Sequence, residues 1–265
     1  MNDQVVICDI SDSVATVTLN EPTKLNPMST QLQVRLREVL VQLRDDKSVR
    51  AMILTGAGKG FCAGTDLRST DSGEQQSRGQ AAADIIGRLL HPIILELREL
   101  PFPVVSAING PAAGAGVGLA LAADIILAAR SAYFYLPFLP KMGIVPDAGC
   151  TWFLPRLIGP GRALSLALLG ERLSAERAAQ WGLIWECVDD AELLGRARLL
   201  AKQLAAMPAH AALEARRAFA AAERHTLSEQ LHYECDRQRE LIDGPAFSEG
   251  ARAFLEKRQP VFGER

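Results

Sequence analysis

The chain has 265 residues, 48% of them hydrophobic, and a formal net charge of −2 with acidic and basic residues interspersed. This hydrophobic content can form the core of one medium domain, or of a core with a small appendage. The charges form no basic stripe for nucleic acid and no polybasic face for a membrane, so neither partner is expected.

Neither the first residues nor the cysteines indicate secretion. Residues 1–4 lack a basic region, and the apolar run after them is too short and interrupted for a signal peptide or a membrane span. The five cysteines are scattered and form no Cys-x-x-Cys pair, which indicates neither disulfides nor a zinc site. We therefore expect a cytoplasmic protein with reduced thiols and no metal.

The first part of the chain predicts strands around one amphipathic helix. Residues 4–10 and 14–19 are β-rich and flank a Ser-Asp-Ser turn, which indicates a hairpin. Ser29 is a candidate N-cap for a helix with apolar residues at helical spacing. The apolar run 51–56 predicts the next strand, so this part forms a β-α-β unit with a right-handed crossover.

The middle of the chain continues this alternation. The polar stretch 68–79 predicts a mobile loop that could act as a lid. A long helix is predicted over 81–100, kinked at Pro92. Further strands are predicted at 104–108, 124–129 and 132–136. Such repeated units favour stacked, mainly parallel strands with helices outside.

Beyond Gly143 the pattern becomes helical. Helices are predicted over 149–157, 162–169, 174–181, 191–206, 211–223, 227–242 and 247–262. We expect the last of them to dock on a neighbouring subunit.

Two strand exits rich in small residues are the first candidate functional feature. After the strand at 104–108, the Asn109-Gly110-Pro111 sequence forces a turn, and a helix rich in glycine and alanine begins near Gly114. The strand at 51–56 also leads into small residues, up to Thr65. Two such exits could direct two backbone N–H groups at one point, which is the layout of an oxyanion hole. Glycines that serve helix–sheet packing alone are the alternative.

Ordered landmarks along nearly the whole chain resemble the crotonase, or enoyl-CoA hydratase/isomerase, superfamily. They are Asn20-x-Pro22, Lys24-Leu-Asn26, Phe61-Cys-Ala-Gly-x-Asp66, Gly110-x-Ala-x-Gly-x-Gly, Ala123-Asp124, Pro146-Asp147-x-Gly149 and Phe254-x-x-Lys257-Arg-x-Pro260-x-Phe262. Residues 147–156, 168–176 and 181–185 resemble more narrowly the bacterial ring-epoxide isomerases of phenylacetyl-CoA breakdown. Cys150 stands where that subgroup usually has Gly.

The resemblance implies an α/β fold in which repeated ββα units form a spiral, followed by a helical C-terminal trimerisation region. Residues 1–200 would be the spiral core, which binds the acyl-CoA and carries catalysis. Residues 201–265 would be the helical region, which serves oligomerisation and covers the CoA pocket. The expected assembly is a homotrimer or homohexamer. The expected substrate is an acyl-CoA thioester, with no cofactor because coenzyme A is part of the substrate.

The resemblance also assigns roles to residues. The N–H groups of Thr65 and Ala115 would form the oxyanion hole and bind the thioester oxygen as it becomes an enolate. Many relatives have Gly at the second position, but a backbone donor does not depend on the side chain. Contacts to the substrate and CoA carry over to Lys24, Cys62, Ala63, Asp66, Gly116, Phe138 and Lys257. The two lysines could equally be solvated surface charges.

The acid/base groups differ from those of the hydratases in the family, which use two glutamates. The aligned positions here are Gly118 and, near a one-residue insertion, Phe138, so both carboxylates are absent. The missing side chain at Gly118 is expected to leave room for the acyl group. Asp147, in contrast, lies where several double-bond-shifting relatives place their catalytic aspartate. One carboxylate suffices for that reaction, because the same base removes a proton and returns it.

Asp147 also has a structural interpretation, because Pro-Asp before a helix is a common N-capping pattern. Asp66 and Asp124 are weaker candidates for the base, and Asp124 is expected to cap or pair. None of the four histidines lies in a family motif, although His91 could face the pocket from the kinked helix.

Three functions follow from these observations. The first is an acyl-CoA isomerase with Asp147 as its base, acting on an unsaturated or epoxidised acyl group. The second is an enoyl-CoA hydratase, which would need substitute carboxylates. The third is a non-catalytic CoA-binding subunit.

Overall fold

The computed structural model describes residues 4–65 and 77–263. The fold is built around two β-sheets. The larger sheet has six strands in the order β1 (Val6–Ser11), β2 (Val14–Leu19), β3 (Ala51–Gly56), β4 (Val104–Ile108), β6 (Ile125–Ala129) and β9 (Glu186–Val188). The smaller sheet contains β5 (Ala112–Ala113), β7 (Tyr133–Tyr135) and β8 (Leu173–Ser174). The short strands β5, β8 and β9 were not predicted from the sequence.

The hairpin and the parallel strands agree with the sequence-based predictions. Strands β1 and β2 are antiparallel, and Asp12 and Ser13 between them have φ values of 51° and 61°. Positive φ at both residues of a two-residue loop gives the turn whose twist matches the strands. From β2 onward all neighbours in the larger sheet are parallel. Strands β3 and β4 are buried along their whole length, as is typical of a parallel sheet covered on both faces.

Helices surround the sheets and dominate the second half of the chain. They are α1 (Thr30–Asp45), α2 (Arg78–Ile85), α3 (His91–Glu99), α4 (Ala115–Leu121), α5 (Cys150–Ile158), α6 (Pro160–Leu169), α7 (Ala175–Trp181), α8 (Leu193–Ala205), α9 (Ala211–Ala222), α10 (Leu227–Ile242) and α11 (Pro245–Leu255). Ser29 caps α1 as predicted, because its Oγ accepts the N–H of Leu32 at 3.2 Å.

The long helix predicted over 81–100 is present and contains a π-helical turn just before Pro92. Helix α2 begins at Arg78, and a π-helical turn at Ile86–Leu90 separates it from α3. Pro92 follows this π-helical turn by two residues, and local π-helical geometry is one way in which a helix accommodates a proline that lacks an N–H and crowds the preceding turn. Most of the predicted mobile loop at 68–79 lies outside the described residues.

The last helix is shorter than predicted. Helix α11 ends at Leu255, not at Phe262, and Lys257 has a φ of 54° in the left-handed region. The tail folds back, since the Val261 N–H donates to Glu249 at 2.9 Å. The prediction was wrong because the spacing of apolar residues does not indicate where a residue with left-handed backbone conformation ends the helix.

The C-terminal region is helical, as predicted, although the division at residue 200 stays a prediction. That residue lies inside α8, which packs on β3 and β4. Within residues 4–65 and 77–263, no helix is long and apolar enough to cross a membrane. The cytoplasmic location stays a prediction.

Arg216 links α9 to the core through hydrogen bonds, so its replacement should lower the stability of the fold. Its guanidinium binds both carboxylate oxygens of Asp124, at 2.7 and 2.5 Å, and also donates to the carbonyl of Phe102 at 3.0 Å. Asp124 is therefore a paired residue. We expect Arg216→Leu to lower the free energy of unfolding by about 3–5 kcal/mol, because it leaves a partly buried carboxylate without its main partner. Denaturant unfolding measures this loss.

Arg217 provides the control for that measurement, because it is the next residue of α9 and its side chain is 61% exposed. Arg217→Leu should change the free energy of unfolding by less than about 1 kcal/mol. Equal losses in the two variants would contradict the role assigned to Arg216.

Candidate active site

The two strand exits rich in small residues lie side by side. Strands β3 and β4 are parallel neighbours, so the chain leaves both at the same edge of the sheet. The N–H groups of Phe61 and Cys62 both donate to the carbonyl of Pro111 at 3.1 Å. The Ala113 N–H donates back to the carbonyl of Cys62 at 2.9 Å. These bonds join the two exits directly.

Glycines allow the closest approach between the two segments. Gly64 has a φ of 89°, and a Cβ at this residue would lie 2.7 Å from the Ala113 oxygen and 3.4 Å from the Ala115 nitrogen. A Cβ at Gly116 would lie 2.4 Å from the carbonyl oxygen of Cys62. A side chain at either residue would force the neighbouring backbone to move. The backbone that leads to Thr65 therefore lies in direct contact with the first turn of α4.

Two backbone donors are available at this contact. Ala115 is the first residue of α4, so its N–H has no acceptor within the helix. Among the described residues, neither the Thr65 N–H nor the Ala115 N–H donates to another group. The structure therefore brings the two expected oxyanion-hole residues into adjacent segments, and neither N–H is used by a residue within 4–65 or 77–263.

An aromatic ring lies beside these donors. Phe138 is buried and begins a π-helical turn, Phe138–Met142. A Cβ at Gly114 would lie 3.7 Å from Phe138 Cζ and 3.7 Å from the Cα of Gly64. The group next to the donors on this side is therefore apolar.

The space beside Gly118 is filled by backbone. A Cβ at Gly118 would lie 2.1 Å from the carbonyl oxygen of Ala148 and 2.6 Å from its Cβ. The expectation that this glycine leaves room for the acyl group was therefore wrong. Gly118 lies three residues beyond Ala115, about 4.5 Å along the helix axis. The contact places the 147–148 segment within about one helical turn of the second donor.

Asp147 does not cap α5. The N-cap of α5 is Gly149, no side chain caps this helix, and both Ala148 and Gly149 have left-handed φ values, of 50° and 78°. The Oδ1 of Asp147 is buried, with no hydrogen-bond partner among the described residues. A buried carboxylate oxygen without a partner is unusual in a structural residue and calls for another explanation.

The environment of Asp147 suits a general base. Burial raises the pKa of its carboxyl group, while a hydrogen bond from its own main-chain N–H and the charge of His91 oppose this rise. A carboxyl group with a raised pKa is a stronger proton acceptor at neutral pH than an ordinary aspartate.

His91 is the second titratable group near Asp147. It is the exposed first residue of α3. Ile94, one turn later in α3, lies 3.8 Å from the position of a Cβ at Gly149, so this end of α3 packs against the Asp147 segment. The sequence contained only a weak signal for this contact, which was the kink expected at Pro92.

The buried cysteines at the site are not nucleophiles. Burial raises the pKa of Cys62 to about 12 and that of Cys150 further still. Both thiols stay protonated at neutral pH, and only the thiolate is a strong nucleophile. A substrate contact of Cys62, which stays a prediction, would therefore come from its backbone.

Of the expected CoA contacts, Lys24 and Ala63 lie close together. The Ala63 N–H donates to the carbonyl of Leu25 at 2.9 Å, directly beside Lys24. Lys24 is half exposed, with its Nζ 3.6 Å from Glu21 Oε1. Asp66 lies outside the described residues.

Lys257 is not brought to this site within the single chain. No hydrogen bond or ion pair joins its side chain to another residue in the described parts of the chain. Six residues further on, the carbonyl of Gly263 accepts a hydrogen bond from Arg50 at 2.6 Å. Arg50 directly precedes β3, so this contact lies at the end of the strand opposite to the site. A role for Lys257 in CoA binding stays a prediction.

Comparisons with known proteins identify the family of this chain. A family model described as enoyl-CoA hydratase/isomerase matches residues 9–265. The chain is 44% identical over 262 residues to the 1,2-epoxyphenylacetyl-CoA isomerase of Escherichia coli (strain K12), covering 98% of each chain. It is 39% identical over 265 residues to a probable enoyl-CoA hydratase of Rhodobacter capsulatus, covering 100% of each.

A solved structure matches the fold equally well. The crystal structure of a putative enoyl-CoA hydratase/isomerase from Mycobacterium abscessus has a TM-score of 0.91 and 33% sequence identity, and the match covers 98% of this chain and 100% of that one. These similarities span the spiral core and the helical C-terminal region together. The chain therefore belongs to the enoyl-CoA hydratase/isomerase, or crotonase, family, with similarity to its phenylacetate-pathway isomerase subgroup.

Proposed function

We propose that this protein is an acyl-CoA isomerase with one aspartate base. The observation that carries the proposal is the Asp147 carboxylate, whose Oδ1 is buried with no partner among the described residues, and which precedes Ala148, the residue packed against Gly118 of α4. The similarity to an isomerase named for 1,2-epoxyphenylacetyl-CoA supports an unsaturated or epoxidised acyl group as the substrate.

In the proposed mechanism, Asp147 removes a proton from a carbon conjugated with the thioester. The C–H electrons move toward the thioester oxygen, which becomes an enolate oxygen held by the N–H groups of Thr65 and Ala115. Each such donor contributes on the order of 3 kcal/mol to the transition state. Asp147 then returns the proton to another carbon, so the double bond shifts and the composition is unchanged. No cofactor beyond the coenzyme A of the substrate is needed.

For an epoxidised acyl group, Asp147 would remove a proton from the α-carbon and the same donors would hold the resulting enolate oxygen. The enolate electrons would then form a C=C bond and break a ring C–O bond, and the proton held by Asp147 would go to the released alkoxide, so the mass is unchanged. Lys24, Cys62, Ala63, Asp66, Gly116, Phe138 and Lys257 are proposed to contact the substrate or its CoA part. Cys62, Ala63 and Gly116 would do so through their backbone, and Phe138 through its buried ring beside the donors.

A hydratase is the second candidate, supported by the similarity to a probable enoyl-CoA hydratase. Water addition needs one group to activate water and another to deliver a proton to the α-carbon. At the two aligned positions this chain has Gly118, which is packed against Ala148, and the apolar Phe138. The isomerase is therefore preferred. A non-catalytic subunit is disfavoured, because a buried carboxylate oxygen with no partner in residues 4–65 and 77–263 would lower its stability without serving a reaction.

Product mass separates the candidates. Purified protein would be incubated with a panel of unsaturated and aryl acyl-CoAs, including 1,2-epoxyphenylacetyl-CoA, while absorbance and product mass are followed. The isomerase should give products of unchanged mass. Products heavier by one water would favour the hydratase, and no turnover of any member of the panel would favour the non-catalytic subunit.

We also propose a homotrimer or homohexamer. Large apolar side chains of the C-terminal helices stay exposed in the single chain, among them Phe219 at 78%, Phe254 at 83% and Leu255 at 81%. Exposed apolar surface of this kind marks an interface between subunits. Light scattering coupled to size-exclusion chromatography should give three or six times the chain mass, whereas a monomer at micromolar concentration would contradict the proposal.

A further inference from the structure

Two asparagines hold the loop that leads from β3 to Thr65. We propose that Asn26 and Asn109 are positioning residues, which fix this loop and thereby set the Thr65 N–H relative to the Ala115 N–H. The inference rests on the proposed function, because it assigns the asparagines a role only if these two donors bind the thioester oxygen.

Asn26 binds the loop from one side through hydrogen bonds. Its side chain is fully buried, and its Nδ2 donates to the carbonyls of Ala57, Gly60 and Phe61 at 3.0, 2.8 and 3.2 Å. Its Oδ1 accepts the N–H of Glu21 at 2.8 Å. Both ends of the amide are therefore used, and they link the segment before α1 to the loop after β3.

Asn109 binds the same loop from the other side through hydrogen bonds. It directly follows β4, and its Oδ1 accepts the N–H of Gly56 at 3.1 Å. Its Nδ2 donates to the carbonyls of Gly58 and Gly60 at 3.0 and 3.2 Å. The carbonyl of Gly60 thus accepts from both asparagines, and the loop between Gly56 and Phe61 is fixed from two directions.

Further backbone hydrogen bonds connect this loop to the segment that carries the Thr65 N–H. Beyond Phe61, the Ala63 N–H binds the carbonyl of Leu25, and the Met28 N–H binds the carbonyl of Gly64 at 2.8 Å. These bonds attach the chain before Thr65 to the segment that contains Asn26. On the other side, the bonds to Pro111 attach it to the segment that contains Asn109. The two asparagines therefore anchor the backbone on which the first donor lies.

Small displacements of this backbone matter for catalysis. An oxyanion donor acts at about 2.7–3.1 Å from the oxygen that it stabilises. A displacement of about 1 Å in a reacting geometry can cost about 10²-fold in rate. An asparagine side chain suits the anchoring role because its amide both donates and accepts hydrogen bonds. An aspartate of the same shape would place a carboxylate against carbonyl oxygens.

The test uses Asn26→Asp and Asn109→Asp, with Asn20→Asp as the matched control. Asn20 donates to the carbonyl of Gln4 at 2.8 Å, before β1, and makes no bond to the loop. The probe is phenylacetyl-CoA, isotope-labelled at the thioester carbonyl, whose stretching frequency is measured by infrared difference spectroscopy in the bound state. Both kcat and KM are measured on a substrate that the panel identifies.

We expect the wild-type protein to lower the carbonyl frequency, because two N–H donors polarise the bond. Both loop variants should lose most of this shift and about 10²-fold in kcat, with little change in KM. The Asn20→Asp variant should behave as the wild type. A merely structural role would lower stability without changing the carbonyl frequency of folded, saturated protein.

The outcomes are distinguishable. If the wild type lowers the frequency and both loop variants keep that shift and its kcat, the inference is wrong and the proposed function stands. If the wild type itself shows no shift, the oxyanion-hole proposal fails, and this inference with it. Should Asn26→Asp not fold, the half-buried Asn109 decides alone, since its variant disturbs less of the core.

Discussion

The Asp147→Asn variant is expected to lose about 10²–10⁴-fold in kcat and yet to melt at a higher temperature than the wild type at pH 7. The loss follows because an amide cannot accept the substrate proton. The gain follows because the carboxylate is held partly buried, and one of its oxygens has no partner within the described part of the chain. Asparagine has the same shape and no charge, so acyl-CoA binding should be nearly unchanged.

The direction of the pH dependence follows from the raised pKa of Asp147. A carboxyl group whose pKa is higher in the folded than in the unfolded state favours folding below its unfolded pKa. That contribution is lost as the pH rises through the folded pKa. The advantage of the asparagine variant should therefore be greatest at neutral pH and disappear below 3.8, the ordinary pKa of this group.

The activity should have the opposite pH dependence. Only the ionised carboxylate accepts a proton, so kcat/KM of the wild type should rise with pH through the raised pKa of Asp147. The measurements are thermal melts followed by circular dichroism across pH, calorimetric binding of an acyl-CoA, and turnover.

Asp190→Asn is the control for the stability effect. Asp190 is exposed, and hydrogen bonds from Ser131 lower the pKa of its carboxyl group, so its replacement should lower stability at pH 7 and leave kcat unchanged. A wild-type turnover in Asp147→Asn would remove Asp147 from the mechanism. A lower melting temperature of that variant at pH 7 would instead indicate a structural role.

Hydration of crotonyl-CoA is expected to be at least about 10⁴-fold slower than in a typical hydratase of the family. Each general acid or base contributes about 10²–10⁴-fold, and both groups of the hydratases are absent at the aligned positions. Formation of 3-hydroxybutyryl-CoA, followed by mass, measures the rate. Turnover at tens per second or faster would overturn the isomerase proposal and show that Asp147 or another carboxylate activates water.

Restoring a glutamate by Gly118→Glu should not create a hydratase, for a reason visible in the packing. The first side-chain atom would meet the Ala148 carbonyl at 2.1 Å, so the 147–148 segment must move. Overpacking of this kind costs about 1–3 kcal/mol or more, and it should also displace Asp147 and lower the isomerase rate.

The matched control is Gly195→Glu in α8, where a Cβ would meet nothing within 4 Å. This variant should keep both the stability and the activity of the wild type. If Gly118→Glu folded as stably as Gly195→Glu and hydrated crotonyl-CoA, the close contact with Ala148 would not be the barrier that we infer.

The sequence by itself determined the larger elements and the family. Hydrophobic spacing, N-caps such as Ser29 and turn residues act over a few positions, so strands β1 to β4 and helices such as α1 and α10 follow from local pattern. The ordered motifs extend over the whole chain, which is why the crotonase resemblance was visible before the structure. The pairing of short strands was not visible, because β5 and β8 have only two residues each.

The tertiary structure alone decided how the site is assembled. The Pro-Asp sequence favoured an N-cap, but left-handed conformations at Ala148 and Gly149 separate the Asp147 side chain from the N–H groups of α5. The missing side chain at Gly118 suggested open space, but backbone from 30 residues further along the chain fills it. Both outcomes depend on contacts between segments distant in sequence, and local residue patterns do not encode such contacts.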